Sequence, residues 1–320
     1  MFDSYIRDRT MLGLSLLSAF AAAVVLPPFV GISVDYASFR PVLALCAVIA
    51  AFLPYINWRG LHRLRAALET MLSNTLFAIP LLVFSYVTMR AGLPLMDKPL
   101  VAADAFLGFD SRGFVLWMDQ FGILSLMLGY CYSSFSFQLL LLPVLLGILG
   151  LDHRAYGFAL AFIILGIAST SLSAFFPSIG AFAQFGIDSH ALKNINGIYG
   201  YHFLESFNGV RQAPIYHLSL RSASGIITFP SVHAGVAVLC AWAAWGSHWL
   251  RWPFLLLNVG MFVSAITHGA HYLVDVIAGG AIGAVAIVLV GRLIFARELA
   301  PPVVTARRAA PAGAGEARSA

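Results

Sequence analysis

Eight apolar stretches, at about 11–33, 40–57, 69–89, 122–149, 156–177, 232–248, 253–271 and 273–294, set the first limit on this chain. A helix crossing the hydrocarbon core of a bilayer needs about 20 apolar residues, since each adds about 1.5 Å to a path of roughly 30 Å. Every stretch meets or approaches that length. In lipid a backbone must satisfy its own hydrogen bonds, so runs of this length fold as helices packed side by side. The expected fold is therefore all-α, a polytopic transmembrane helical bundle of about eight spans. Composition agrees: 60% of the 320 residues are hydrophobic and 10% are charged, whereas a soluble domain carries about 25% charged residues.

Basic residues orient the bundle. "WRGLHRLRAALE" (58–69), "DHR" (152–154) and "SHWLRW" (247–252) join successive apolar stretches, and each carries arginine. With Arg7, Arg9, Arg292 and the four arginines of the tail, these connections hold twelve of the nineteen Lys and Arg residues on one side. The remaining seven are Arg40, Arg90, Lys98, Arg112, Lys193, Arg211 and Arg221, spread over much longer connections. The positive-inside rule then places both termini in the cytoplasm. The long connections 90–121 and 178–231 face the exoplasmic side. The first apolar run is too long for a signal-peptide core of about 7–15 residues and is expected to be a retained span. The net charge of +5 is thus accounted for by topology. Cys46, Cys131 and Cys240 all lie in apolar runs and are expected to pack as small hydrophobes.

Ionisable residues within such runs usually mark function. "TFPSVHAGVAV" (228–238) opens one span from the exoplasmic side, and "THGAHYLVDVIAGG" (267–280) closes the next toward it. The two clusters are therefore expected to meet at one membrane face. Ser231 is placed as a helix N-cap, where unpaired backbone N–H groups and the helix dipole favour phosphate. His233 falls in that first turn. His271 and Asp275 are four apart, which predicts one helical face. A carboxylate there fixes the imidazole tautomer and leaves the other nitrogen as a nucleophile. Read without function, the same residues are a capped helix with an incidental histidine and a structural His–Asp pair. A metal site of His268, His271 and Asp275 has helical spacing but lacks a full ligand set, and no metal is expected. Gly279 and Gly283 form a small-xxx-small pattern suited to close helix packing.

"FPSVHAG" followed by "SAITHGAHYLVDVIAG" resembles the second and third signature motifs of the type 2 phosphatidic acid phosphatase superfamily, and the "FPS-x-HA" form is more like its inositol phosphorylceramide synthase and related lipid phosphotransferase branch. The resemblance implies that His271 attacks phosphorus to give a phosphohistidine, that Asp275 orients it, and that His233 protonates the leaving oxygen. Ser231 would hold a phosphate oxygen, and Ser264 matches the serine that opens the third motif. Two features depart from the superfamily pattern. Ala265 stands where arginine usually follows that serine, and the contiguous first motif is absent. Phosphoryl transfer needs cations on its equatorial oxygens. Lys193, Arg211 and Arg221, in the connection before Ser231, are the candidates to replace them.

The expected organisation is N-terminal transmembrane helices over 1–110, a catalytic bundle over 111–295 and a disordered cytoplasmic tail over 296–320. The expected protein is a multi-pass membrane enzyme that uses no cofactor and acts at the exoplasmic face on a phospholipid or lipid phosphate. Its acceptor is either a lipid hydroxyl, with inositol phosphate moved to ceramide or diacylglycerol, or water. No nucleic acid partner is expected. A transporter with buried histidines is the rival class, and a metal-dependent membrane enzyme is a third; chelation by EDTA separates the latter. The topology makes its own prediction. A reporter fused after Ala320 should report from the cytoplasm, and a cysteine placed at Lys193 should react with an impermeant thiol reagent added outside. An exoplasmic tail would overturn the assigned sidedness.

Overall fold

The computed structural model describes residues 2–295, so the tail expected over 296–320 lies outside the described residues. The chain begins with α1 (Phe2–Phe29), the short strand β1 (Ile32–Val34), α2 (Arg40–Trp58) and α3 (His62–Met89). Shorter helices follow: α4 (Asp97–Phe106), α5 (Ser111–Met118), α6 (Gly122–Ser133) and α7 (Phe135–Ile148). Next come α8 (Asp152–Ser173), α9 (Gly180–Phe185), α10 (Leu204–Gln212) and strand β2 (Tyr216–Leu218). The chain closes with α11 (Val232–Ala244), α12 (Arg251–Thr267) and α13 (Leu273–Val290). The fold is nearly all-α, as the apolar runs require. The two strands form one short parallel pair, Ile32 opposite Tyr216.

All eight apolar stretches are helical, but they differ in length. Among the described residues, α1, α2, α3, α8 and α13 are long and apolar enough to cross a bilayer. The bent pair of α5 and α6, which turns through 114°, brings the number to six if it counts as one span. The stretch 122–149 divides at Ser134 into α6 and α7. The stretches at 232–248 and 253–271 give helices of 13 and 17 residues. A helix of 13 residues is about 20 Å long, short of the hydrocarbon thickness. Burial explains how α11 tolerates this, because Val236, Leu239, Cys240, Ala243 and Ala244 are all enclosed by other helices.

At the centre stands α8. Ala155, Phe158, Ala159, Ala161 and Phe162 are buried on every side of it, the pattern of a helix surrounded by others rather than by lipid. Helices α3, α11, α13 and α1 pack around it. One apolar core joins Leu12 and Ala19 of α1, Phe77 of α3, α8 and Val236 of α11. The N-terminal helices therefore share a core with the helices that carry the histidine motifs.

The long connections are not open loops. Arg90 donates from Nε to the Val30 carbonyl at 2.8 Å and from its terminal nitrogens to Val210 at 2.8 Å and Pro214 at 2.6 Å. It thereby ties the 178–231 connection to the end of α3 and to the α1–β1 turn. Asp119, between α5 and α6, accepts backbone N–H bonds from Lys193, Asn194 and Ile195 at 2.8–3.1 Å. These anchors build a folded cap over one end of the bundle.

The contact that brings the two motifs together is between α11 and α13. A Cβ at Gly279 would lie 2.0 Å from the Ser231 carbonyl oxygen, and one at Gly283 would lie 2.8 Å from that of Gly235. Without a hydrophobic force between helices in lipid, close backbone approach through small residues supplies the packing energy. Gly279→Val should therefore lower the unfolding temperature in detergent markedly, since overpacking typically costs about 1–3 kcal/mol even where neighbours can move. Gly13→Ala, where nothing lies within 4 Å, should be neutral in the same thermal melt. Equal melting of all three proteins would remove the glycine contact as the determinant.

Candidate active site

Helix α12 ends at Thr267, and the chain turns sharply before α13 begins. Ala270 sits in this turn at φ 55°, a left-handed conformation that costs a non-glycine residue free energy. Its carbonyl accepts from Ala181 N at 2.7 Å. Gly180, itself at φ +81°, leaves only 3.0 Å between a hypothetical Cβ and that carbonyl oxygen. The start of α9 thus holds the turn in place. His271 consequently lies before the helix, one residue ahead of the N-cap Tyr272. The spacing predicted His271 and Asp275 on one helical face. In the structure they are instead the lip and the third residue of a helix start.

The pair is still close. His271 Nδ1 lies 3.4 Å from Asp275 Oδ2, and both side chains are buried. That separation exceeds the 2.7–2.9 Å of a charge-assisted hydrogen bond, and His271 Nδ1 and Asp275 Oδ1 have no aligned partner. Catalytic hydrogen bonds are often long before a substrate is bound. Asp275 Oδ2 also accepts from Tyr272 N at 3.0 Å, which fixes the carboxylate beside the turn.

Ser231 caps α11, its Oγ accepting from Ala234 N at 3.4 Å, and its own N–H donates to the Asp275 carbonyl at 3.0 Å. The cap residue of one motif is therefore bonded to the aspartate of the other. The His233 ring stacks on Tyr132, with centroids 4.1 Å apart and planes 10° apart, and lies 4.4 Å from the ring of Phe135. His233 and His271 line one cavity of about 540 Å³, which continues between α3 and α7.

The other residues singled out in the sequence are placed elsewhere. Ser264 is buried with its hydroxyl on the Met261 carbonyl at 2.9 Å, and it does not line the cavity. Arg211 donates to Leu93 O at 2.7 Å and lies over the Phe207 ring. Lys193 and Arg221 are exposed, and none of the three cations lines the cavity. His268 contacts Thr267 Oγ1 at 2.9 Å and points its Nε2 at the backbone of Gly129. Among the described residues, no group of three His, Cys, Asp or Glu side chains has metal-binding geometry.

Several neighbours carried no signal in the sequence. His202 and Tyr199 line the same cavity, yet each is an isolated residue in a long connection. Two buried carboxylates, Asp97 and Asp104, come from the stretch read as a plain connection. Asp104 accepts from Leu273 N at 3.0 Å and Val274 N at 2.9 Å and also holds Ser111 Oγ. Asp97 accepts from Tyr272 Oη at 3.0 Å, Ser178 Oγ at 2.7 Å and Ile179 N at 3.1 Å.

This network separates the two helix starts electrostatically. The first amides of α13 are taken up by Asp104 and Asp275. Among the described residues the first turn of α11 has no acidic side chain, only the neutral Ser231 cap, so its dipole is not offset by a carboxylate of its own. Asp104→Ala should lower the unfolding temperature in detergent by an amount equal to about 2 kcal/mol or more, because a charged cap is lost and a buried helix end is left open. Asp104→Asn, with one carbonyl left to accept, should fall between. Wild-type melting of both variants would show that the cap contributes nothing.

A family model described as the PAP2 superfamily matches residues 98–289, from the start of α4 to the end of α13. No curated protein and no solved structure gives a significant match. The matched region holds both histidine motifs, the buried Asp104 and more than half of the chain, and it implies phosphoester chemistry of the lipid phosphatase type. On that match and on the helices that carry the motifs, the chain is a multi-pass membrane protein belonging to the PAP2 superfamily.

Proposed function

We propose that this protein transfers a phosphoryl-linked headgroup between lipids at the exoplasmic face of the membrane, through a phosphohistidine on His271. The observation that carries the reading is that His233 and His271 open onto one cavity, while the Asp275 carboxylate stands behind His271. With Nδ1 turned to Asp275, the nitrogen left to attack is Nε2. It forms a bond to phosphorus as the bond from phosphorus to the leaving oxygen breaks, and His233 gives that oxygen its proton. The acceptor oxygen then attacks phosphorus, His233 takes its proton, and His271 is freed. Asp275 favours the charged ring that forms at His271, as the third member of a catalytic triad does. Neither step needs a metal or an organic cofactor.

Among the described residues, no lysine or arginine lines the cavity. Three groups stand in for the missing superfamily cations in this reading: the first amides of α11, which Ser231 caps from a fully buried position outside the cavity lining, the ring of His233, and the ring of the exposed His202 at the cavity mouth. Lys193, Arg211 and Arg221 remain candidates only for steering an anionic headgroup toward that mouth. The "FPS-x-HA" motif favours a lipid hydroxyl as acceptor, with an inositol phosphate donor and a ceramide or diacylglycerol acceptor. Water as acceptor makes the same site a lipid phosphate phosphatase.

Leaving-group dependence tests the roles. General acid catalysis contributes typically 10²–10⁴-fold, so His233→Ala should be slower by about that factor on a lipid phosphoester with a poor leaving group. A nitrophenyl phosphoester should recover much of the loss. His271→Ala should be inactive on both and should form no acid-labile phosphoenzyme, measured with ³²P-labelled donor. EDTA should leave the wild-type rate unchanged. Equal rescue of both variants, or no phosphohistidine in the wild type, would leave the histidines structural or part of a transport path.

A further inference from the structure

We propose that Tyr132 is a positioning residue for the reaction: its ring, together with that of Phe135, holds the His233 imidazole in the orientation from which it gives its proton to the leaving oxygen. The proposal rests on the reading that His233 is the general acid, and it names what aims it. His271 has the Asp275 carboxylate at 3.4 Å, and His268 has the Thr267 hydroxyl at 2.9 Å. Among the described residues no side chain hydrogen-bonds to His233; two aromatic rings meet it instead. Tyr132 lies parallel to it, with 4.1 Å between centroids and 10° between planes. Phe135 is 4.4 Å away and tilted by 39°. The last side-chain torsion of histidine is broad, so without a flat neighbour the ring has no fixed plane. A stack engages the face of the imidazole and leaves the nitrogens on its rim for a substrate.

The chain builds this clamp locally and then anchors it. Tyr132 lies in the last turn of α6, and Phe135 opens α7. Ser134 between the two helices keeps a helical backbone at φ −70° and ψ −10°, so residues three apart still share a face. Helix α6 is seated on α12 at two glycines. A Cβ at Gly260 would lie 2.5 Å from Cys131 Sγ, and one at Gly129 would lie 3.2 Å from His268 Nε2. Tyr132 also bears on the turn that delivers His271. A Cβ at Gly269 would lie 2.9 Å from Tyr132 Cε2 and 2.8 Å from His271 Cδ2. One side chain therefore stacks on the imidazole of the first motif and packs against the backbone of the second. Tyr132 and Phe135 line the cavity as well, so kinetics must tell a loss of aim from a loss of lipid packing.

A double-mutant cycle does so in the full-length protein in nanodiscs, with ³²P-labelled lipid donor at saturating concentration. General acid catalysis contributes about 10²–10⁴-fold, and a misplacement of about 1 Å can remove about 10²-fold. Tyr132→Leu should therefore lower kcat at least about 10-fold, and Tyr132→Phe, which keeps the flat face, should recover most of the rate. In the His233→Ala background the same Tyr132→Leu change should cost little more, because no imidazole is left to aim. A nitrophenyl phosphoester needs no acid, so Tyr132→Leu should recover much of its loss on that substrate, which also shows that the variant is folded. If Tyr132→Leu does not fold, Phe135→Leu takes its place in the same cycle, with a loss of kcat that again depends on His233. Equal loss with and without His233, a fall in Tyr132→Phe as large as in Tyr132→Leu, or a change confined to KM would each overturn the positioning role alone. A wild-type kcat in His233→Ala would overturn the general-acid reading, and the positioning role with it.

Discussion

The site depends on the crossing of α11 over α13, where two backbones approach more closely than any side chain permits. Gly279 and Gly283 face the carbonyls of Ser231 and Gly235, and Ser231 N–H reaches the Asp275 carbonyl across the same gap. In lipid this contact is held by packing and by a buried backbone hydrogen bond, with no gain from removing apolar surface from water. It puts the cap of one helix and the acid of another into a single unit. His233 is carried on that unit in the first turn of α11, and His271 in the turn just before α13. Larger residues at the crossing push the motifs apart and affect both histidines at once.

Around this crossing, buried carboxylates do the work of alignment. Asp104 and Asp97 reach from α4 to the turn before α13, one through the first amides and one through the Tyr272 hydroxyl. Both are almost fully enclosed, where an unpaired charge is costly and a satisfied one rigidifies its surroundings. The left-handed Ala270 is held from the other side by α9. Strain at this turn and polar anchoring on both flanks go together. The turn that delivers His271 is over-determined by contacts far away in the sequence.

The same arrangement allots the charges. Asp104 and Asp275 occupy the positive end of α13, so that helix start cannot serve an anion. The start of α11 is left with a neutral cap, and among the described residues the cavity in front of it is lined by imidazoles and by no lysine or arginine. The cavity continues from the histidines into an apolar stretch between α3 and α7.

The apolar runs by themselves determined an all-α membrane bundle, because length and hydrophobicity are local properties that a bilayer reads directly. Motif spacing singled out Ser231, His233, His271 and Asp275 as candidates, because a helix start and a four-residue separation are also local. The small-xxx-small glycines were legible for the same reason, although their partners were not. Tertiary structure decided what depended on distant pairing. It stopped α12 at Thr267 and moved His271 off the helix, since the anchor for that turn is Ala181, some ninety residues away. It brought Asp97 and Asp104 to the site from a stretch with no periodic signal, across about 170 residues. It left Lys193, Arg211 and Arg221 outside the cavity and put His202 and Asn74 into it. No spacing rule links those residues to the motifs; only the packing of α3 and the long connection against α7 and α11 does so.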